Sequence, residues 1–102
     1  MKRRYILAPE AALDLAEIWH YVRRKASLEM ADKVESVIRD RLVFLAATPG
    51  GGHRREDLTD EPVMFFPVYS YLIVYRIGAK PLRVVAILHG YRDIARLLKD
   101  RL

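Results

Sequence analysis

The sequence predicts an α+β domain: an N-terminal strand, an antiparallel helical hairpin, a three-stranded antiparallel meander completing a small sheet, and a short C-terminal helix. Three observations predict it. Apolar residues recur twice at helical spacing between Pro9 and Thr48. After Pro62 the pattern changes to three runs rich in Val, Ile, Phe and Tyr. A chain of 102 residues, 52% hydrophobic, is long enough for one domain, 1–102, with one modest core.

Each element has a local cause. Arg4 to Ala8 is β-favouring and is stopped by Pro9, which suits the first position of a helix because its missing N–H costs nothing there. The spacing predicts a helix from Pro9 to about Ala26, with Glu10 and Asp14 complementing the dipole at its start. Leu15, Ile18, Trp19 and Val22 form its stripe, and Trp19 is expected to anchor the helix on the sheet. Ser27 is the expected N-cap of a second helix, whose stripe is Val34, Ile38, Leu42 and Leu45 and which Thr48-Pro49-Gly50 ends. The link at Lys25-Ala26-Ser27 is so short that the helices must run antiparallel.

Gly50 to Leu58 reads as a flexible connector, because its three glycines fit neither a Walker nor a Rossmann phosphate loop. Val63–Val68, Tyr71–Ile77 and Leu82–Leu88 are the expected strands, joined by tight turns at Tyr69-Ser70 and Gly78 to Pro81. Pro67 marks the first of them as an edge or a bulge. Tyr91 to Leu102 is the expected terminal helix, docking through Ile94, Leu97 and Leu98, with Arg92, Arg96 and Lys99 along its other face.

Composition excludes several function classes. The absence of cysteine removes disulfides, thiolate metal sites and cysteine nucleophiles, and fits a reducing, cytoplasmic setting. The start, Met1-Lys2-Arg3-Arg4, leads into a short mixed run and not a signal sequence, and no run approaches the roughly 18 apolar residues that span a membrane. The net charge of +5 favours an acidic partner, protein or nucleic acid. Positive residues cluster at Lys2-Arg3-Arg4, Arg23-Arg24-Lys25, His53-Arg54-Arg55 and the C-terminal segment.

Complete catalytic machinery is not visible. His20, His53 and His89 have no zinc spacing, so neither a metal nor another cofactor is expected. Ser27, Ser36 and Ser70 are accounted for by a cap, a helix and a turn. His89 is the one acid–base candidate, with Arg76 and Arg92 able to offset phosphoryl charge. The alternative reading of His89-Gly90 and Arg92-Asp93 is a strand-to-helix turn and a helix-start ion pair.

An ordered set of short patterns carries a resemblance: Tyr5-x-Leu7-x-Pro9-x-Ala11, Asp14-Leu15-x-x-Ile18-x-x-Tyr21, Leu45-Ala46-x-x-Pro49-x-x-Gly52, Arg55-x-Asp57-Leu58, Tyr71 to Arg76, and Ile87-Leu88-His89-Gly90-x-Arg92-Asp93. Together they resemble ParE-type toxins of the RelE/ParE superfamily of bacterial toxin–antitoxin systems, over almost the whole chain. RelE-like members resemble ribosome-dependent messenger RNA endoribonucleases, with an Arg-x-Gly-x-Tyr-Arg segment whose arginines face the scissile phosphate. Here that stretch is Pro67-Val68-Tyr69-Ser70-Tyr71-Leu72, with Pro67 and Leu72 at the arginine positions. The missing contacts would cost a phosphoryl transition state on the order of several kcal/mol. Arg76 lies about 13 Å further along the strand from Leu72.

ParE-like members instead resemble poisons that bind DNA gyrase and stabilise its cleaved-DNA state, arresting growth without an active site of their own. The resemblance implies plasmid or chromosome stabilisation, and a ParD-like antitoxin that joins the toxin in a hetero-oligomer such as a heterotetramer and alone contacts operator DNA. The candidates for antitoxin contact are Trp19, Val22, Arg23, Arg54, Arg55, Tyr71 and Tyr75. Those for target contact are Arg92, Arg96, Lys99 and Arg101. A ribonuclease would rely on His89 and Arg92, and a plain interaction module on none of them.

Overall fold

A computed structural model describes residues 4–90 and 92–102. The elements are β1 (Tyr5–Leu7), α1 (Pro9–Lys25), α2 (Leu28–Ala47), β2 (Val63–Val68), β3 (Tyr71–Arg76), β4 (Leu82–His89) and α3 (Ile94–Arg101), with a 3₁₀ turn at Pro49–Gly51. This is the expected α+β order. The Lys2-Arg3 end of the first basic cluster and Tyr91 lie outside the described residues.

The sheet order is β1-β4-β3-β2. β2, β3 and β4 form the expected antiparallel meander, while β1 pairs with β4 in parallel, from Tyr5↔Leu82 to Leu7↔Val84. β2 is the edge strand that Pro67 called for. Its outer side is closed by His53, which exchanges two backbone hydrogen bonds with Phe65 (2.8 and 2.7 Å).

Both faces of the sheet are covered. The hairpin packs Ala11, Leu15 and Ile18 of α1 and Val34, Ile38, Leu42 and Leu45 of α2 against Val68, Ile73, Tyr75, Leu82, Val84 and Ile87. On the other face α3 lays Ile94 and Leu98 on Val63, Phe65, Val74, Val85, Ala86 and Leu88. The register slips between Val74↔Ala86 and Tyr75↔Val84, so Val85 is an extra residue. This bulge turns Val85 and Ala86 to the same face, and cover on both faces accounts for the unbroken apolar run from Val84 to Leu88.

Ser27 caps α2 as expected, its Oγ accepting from Met30 N at 3.0 Å. Ser27→Ala should cost about 1 kcal/mol, read as a shift in the thermal midpoint.

Two expectations need correction. Trp19 is not the core anchor. The buried stripe of α1 is Ala11, Asp14, Leu15 and Ile18, which leaves Trp19 on the flank, half-buried, donating from Nε1 to Asp32 Oδ1 of α2 (2.9 Å). The glycine run is also no loose connector. Gly52 is buried and its N–H donates to the Tyr75 hydroxyl (2.9 Å), which itself donates to Pro49 O (2.6 Å).

Candidate functional site

The order of the strands leaves a groove beside β4. β1 ends at Leu7, so the second half of β4 has no neighbouring strand on that side and faces α1 instead. A groove of about 650 Å³ opens there. His20, Tyr21 and Arg24 line it from α1, Tyr71 and His89 from the sheet, and Arg92 from the turn before α3. The His89 ring stands edge-on to Tyr71, with centroids 5.4 Å apart. Burial pushes the Tyr71 hydroxyl above its ordinary pKa, with a smaller push from Tyr21.

Asp14 also lines this groove. Its Oδ2 accepts from Ile87 N at 3.0 Å, satisfying a β4 amide that has no partner strand. The same carboxylate receives two guanidinium N–H bonds from Arg101, one of them Nη2 to Oδ1 at 2.9 Å, and Arg101 Nε lies 3.5 Å from Glu10. These bonds, above all those from Asp14, raise the Arg101 pKa beyond its already high value. Asp14 therefore does more than complement a helix dipole: it ties the last turn of α3 to α1 and β4. A carboxylate at i+3 from Ala11 and i−1 from Leu15 sits on the apolar stripe, and that position was the available signal for a buried partner.

The expected target-facing arginines separate. Arg96 and Lys99 are exposed, one turn apart on α3. Arg92 precedes the helix, which begins at Ile94, because Asp93 is the N-cap and accepts from Arg96 N (3.3 Å). The expected helix start at Tyr91 and the expected Arg92–Asp93 pair both give way to this cap. Arg101 points inward to Asp14 and does not share the outer face.

The candidates for antitoxin contact also divide. Trp19 and Arg23 are adjacent on α1, the guanidinium 5.7 Å from the indole centroid. Arg54 and Arg55 are exposed on the 53–58 loop, where Arg55 holds Asp57 through two bonds (3.0 and 2.8 Å). Those bonds raise the Arg55 pKa and lower that of Asp57. Tyr71 lines the groove, and Val22 is half-buried against the core. Tyr75 is 0% exposed, so this candidate is a core post and not a contact surface. Sequence reasoning missed His20, Tyr21 and Arg24, which share the groove only because α1 crosses the end of β4.

Positions 67 and 72 are Cα partners across β2 and β3, so the apolar Pro67 and Leu72 stand face to face. Among the described residues no cluster of His, Asp or Glu could hold a metal ion, and no helix is long and apolar enough to cross a membrane.

The fold is similar to a solved structure titled "Chromosomal ParDE TA system from P. aeruginosa": TM-score 0.72, 18% identity, covering 83% of this chain and 92% of that one. No curated protein matches the sequence. Residues 5–94 match the family described as the ParE toxin of type II toxin-antitoxin system, parDE. With nearly the whole length matched, from β1 into the first turn of α3, the chain belongs to the ParE toxin family of type II toxin–antitoxin systems.

Proposed function

We propose that this toxin acts as a poison of DNA gyrase, binding the topoisomerase and stabilising its cleaved-DNA complex, and that it catalyses no reaction itself. The observation that carries the reading is the pairing of Pro67 with Leu72. The two positions where nuclease relatives present arginines to a scissile phosphate are filled by a ring with no donor and an aliphatic side chain. Catalysis at that point would lack charge stabilisation, whereas a binding poison needs none. Arg96 and Lys99, exposed on a helix whose apolar side is fixed to the sheet, are the target-facing groups.

In this reading the protein works in the cytoplasm and is neutralised by a ParD-like antitoxin in a hetero-oligomer such as a heterotetramer. Trp19, Arg23, Arg54, Arg55 and Tyr71 are its accessible contacts, and operator DNA is met only through the antitoxin. A second reading, a ribosome-dependent ribonuclease, draws on the groove that brings His89 and Arg92 together.

Purified gyrase separates the two. The toxin should reduce supercoiling and accumulate cleaved DNA, and the double substitution Arg96→Ala, Lys99→Ala should weaken this about tenfold or more while leaving the fold intact. Unchanged supercoiling with excess toxin would sink the proposal. Transcript cuts in cells that vanish with His89→Ala would establish the ribonuclease instead.

A further inference from the structure

Another concavity lies toward the other end of the strands and shares with the surfaces above only Glu10 and Arg101, which pair with each other. It encloses about 200 Å³ between β1, β3, β4 and the end of α3. Three arginines line it, Arg76, Arg83 and Arg101, with Glu10 and the apolar Ile6 and Val85.

The register makes this arrangement unusual. Tyr75 pairs with Val84, and the residues just beyond that last pair on the two strands, Arg76 and Arg83, line the same concavity. Ile6 pairs with Arg83 and Val63 with Arg76, so each of the two central strands brings a cation there. Like charges brought close together on a sheet repel. Arg101 does not add to the excess, because Asp14 and Glu10 already hold its guanidinium. Neither Arg76 nor Arg83 has an ion pair among the described residues. Arg76 is half-buried and Arg83 exposed, so the pair is open to a ligand from one side. Two guanidiniums lining one concavity offer paired N–H donors that match the oxygens of a tetrahedral anion.

We propose that the Arg76–Arg83 pair is a phosphate-binding site, taking either a phosphodiester of a nucleic-acid strand or a free phosphate. Its chemistry requires no metal and no reaction. The bound anion relieves the repulsion between the two strands, so occupancy and sheet stability are linked. This site stands apart from the Pro67–Leu72 position, and it does not depend on which enzyme the toxin attacks.

The test uses the purified chain without gyrase. Inorganic phosphate, titrated against sodium chloride at matched ionic strength, should raise the thermal midpoint saturably. Arg76→Gln and Arg83→Gln should each weaken that response at least tenfold, and Lys33→Gln, an exposed charge on α2, should not. Each arginine variant should also be at least as stable as the parent in phosphate-free buffer, because the repulsion is gone. A labelled oligothymidylate distinguishes the sources: binding more than tenfold tighter than phosphate identifies a nucleic-acid backbone, and comparable affinity identifies free phosphate. The proposal is overturned if phosphate acts no differently from chloride. Equal responses in Arg83→Gln and the parent, or a polyglutamate peptide outcompeting both phosphate ligands, would also overturn it.

Discussion

Arg101→Ala should destabilise the folded chain by about 3 to 5 kcal/mol, the range expected when a buried charge loses its partner. Asp14 is 8% exposed and depends on Arg101 for two of its three hydrogen bonds, so truncation strands a carboxylate against apolar neighbours. The loss also frees the last turn of α3, which Arg101 ties to α1 through this bidentate pair and the ion pair with Glu10. Urea denaturation gives the value directly, with the slope expected to remain unchanged. Arg101→Lys should recover only part of it, because an ammonium cannot span both oxygens. Replacing both residues by apolar side chains would not restore parity either, since Ile87 N would then lose its acceptor. A loss below 1 kcal/mol for Arg101→Ala would mean that water screens the pair and that α3 is held by Ile94 and Leu98 alone.

Gly52→Ala is the second large effect, at roughly 3 kcal/mol. The backbone there is extended, with φ −87°, so alanine meets no conformational strain. The conflict is steric: a Cβ would overlap the Tyr75 hydroxyl and ring and come within 3.0 Å of Phe65 O. Relief requires moving either a wholly buried tyrosine or the edge strand. Tyr75→Phe alone should cost about 1 to 3 kcal/mol, because Pro49 O and Gly52 N each lose a partner. In the Tyr75→Phe background the penalty of Gly52→Ala should shrink, since the worst overlap is with the hydroxyl. The two substitutions are therefore non-additive, and a double-mutant cycle by denaturation measures the coupling. Strict additivity would place the clash elsewhere.

Much of the fold was legible because local signals agreed. Val63–Val68 follows from β-favouring residues after Pro62, Ser27 from its place before a helical stripe, and the edge position of β2 from Pro67 alone. What escaped depended on distant partners. Trp19 and Ala11 offer equally good continuations of the Leu15–Ile18 stripe, and size argues for tryptophan. Arg101, 87 positions away, decides otherwise by drawing Asp14 inward. The parallel pairing of β1 likewise leaves no trace in a three-residue run. The ordering of the glycine segment rests on Tyr75, which reads as an ordinary strand residue.

The candidate surfaces were legible as residue types and not as places. The cationic segment at the C terminus divides into Arg92 at the groove, Arg96 and Lys99 in solvent, and Arg101 in the interior. A helical period drawn from Tyr91 could not show this, because the Asp93 cap delays the helix to Ile94 and the Asp14 carboxylate captures its last arginine.

The closed outer side of β2 has a consequence for the chain when it is alone. Exposed strand edges are templates for growth, and apolar strands such as Val-Met-Phe-Phe and Tyr-Leu-Ile-Val invite stacking into fibrils. His53 occupies the one pair of backbone groups at Phe65, and Pro67 has no N–H to offer. That edge is thus shielded at Phe65 and Pro67 against growth strand upon strand.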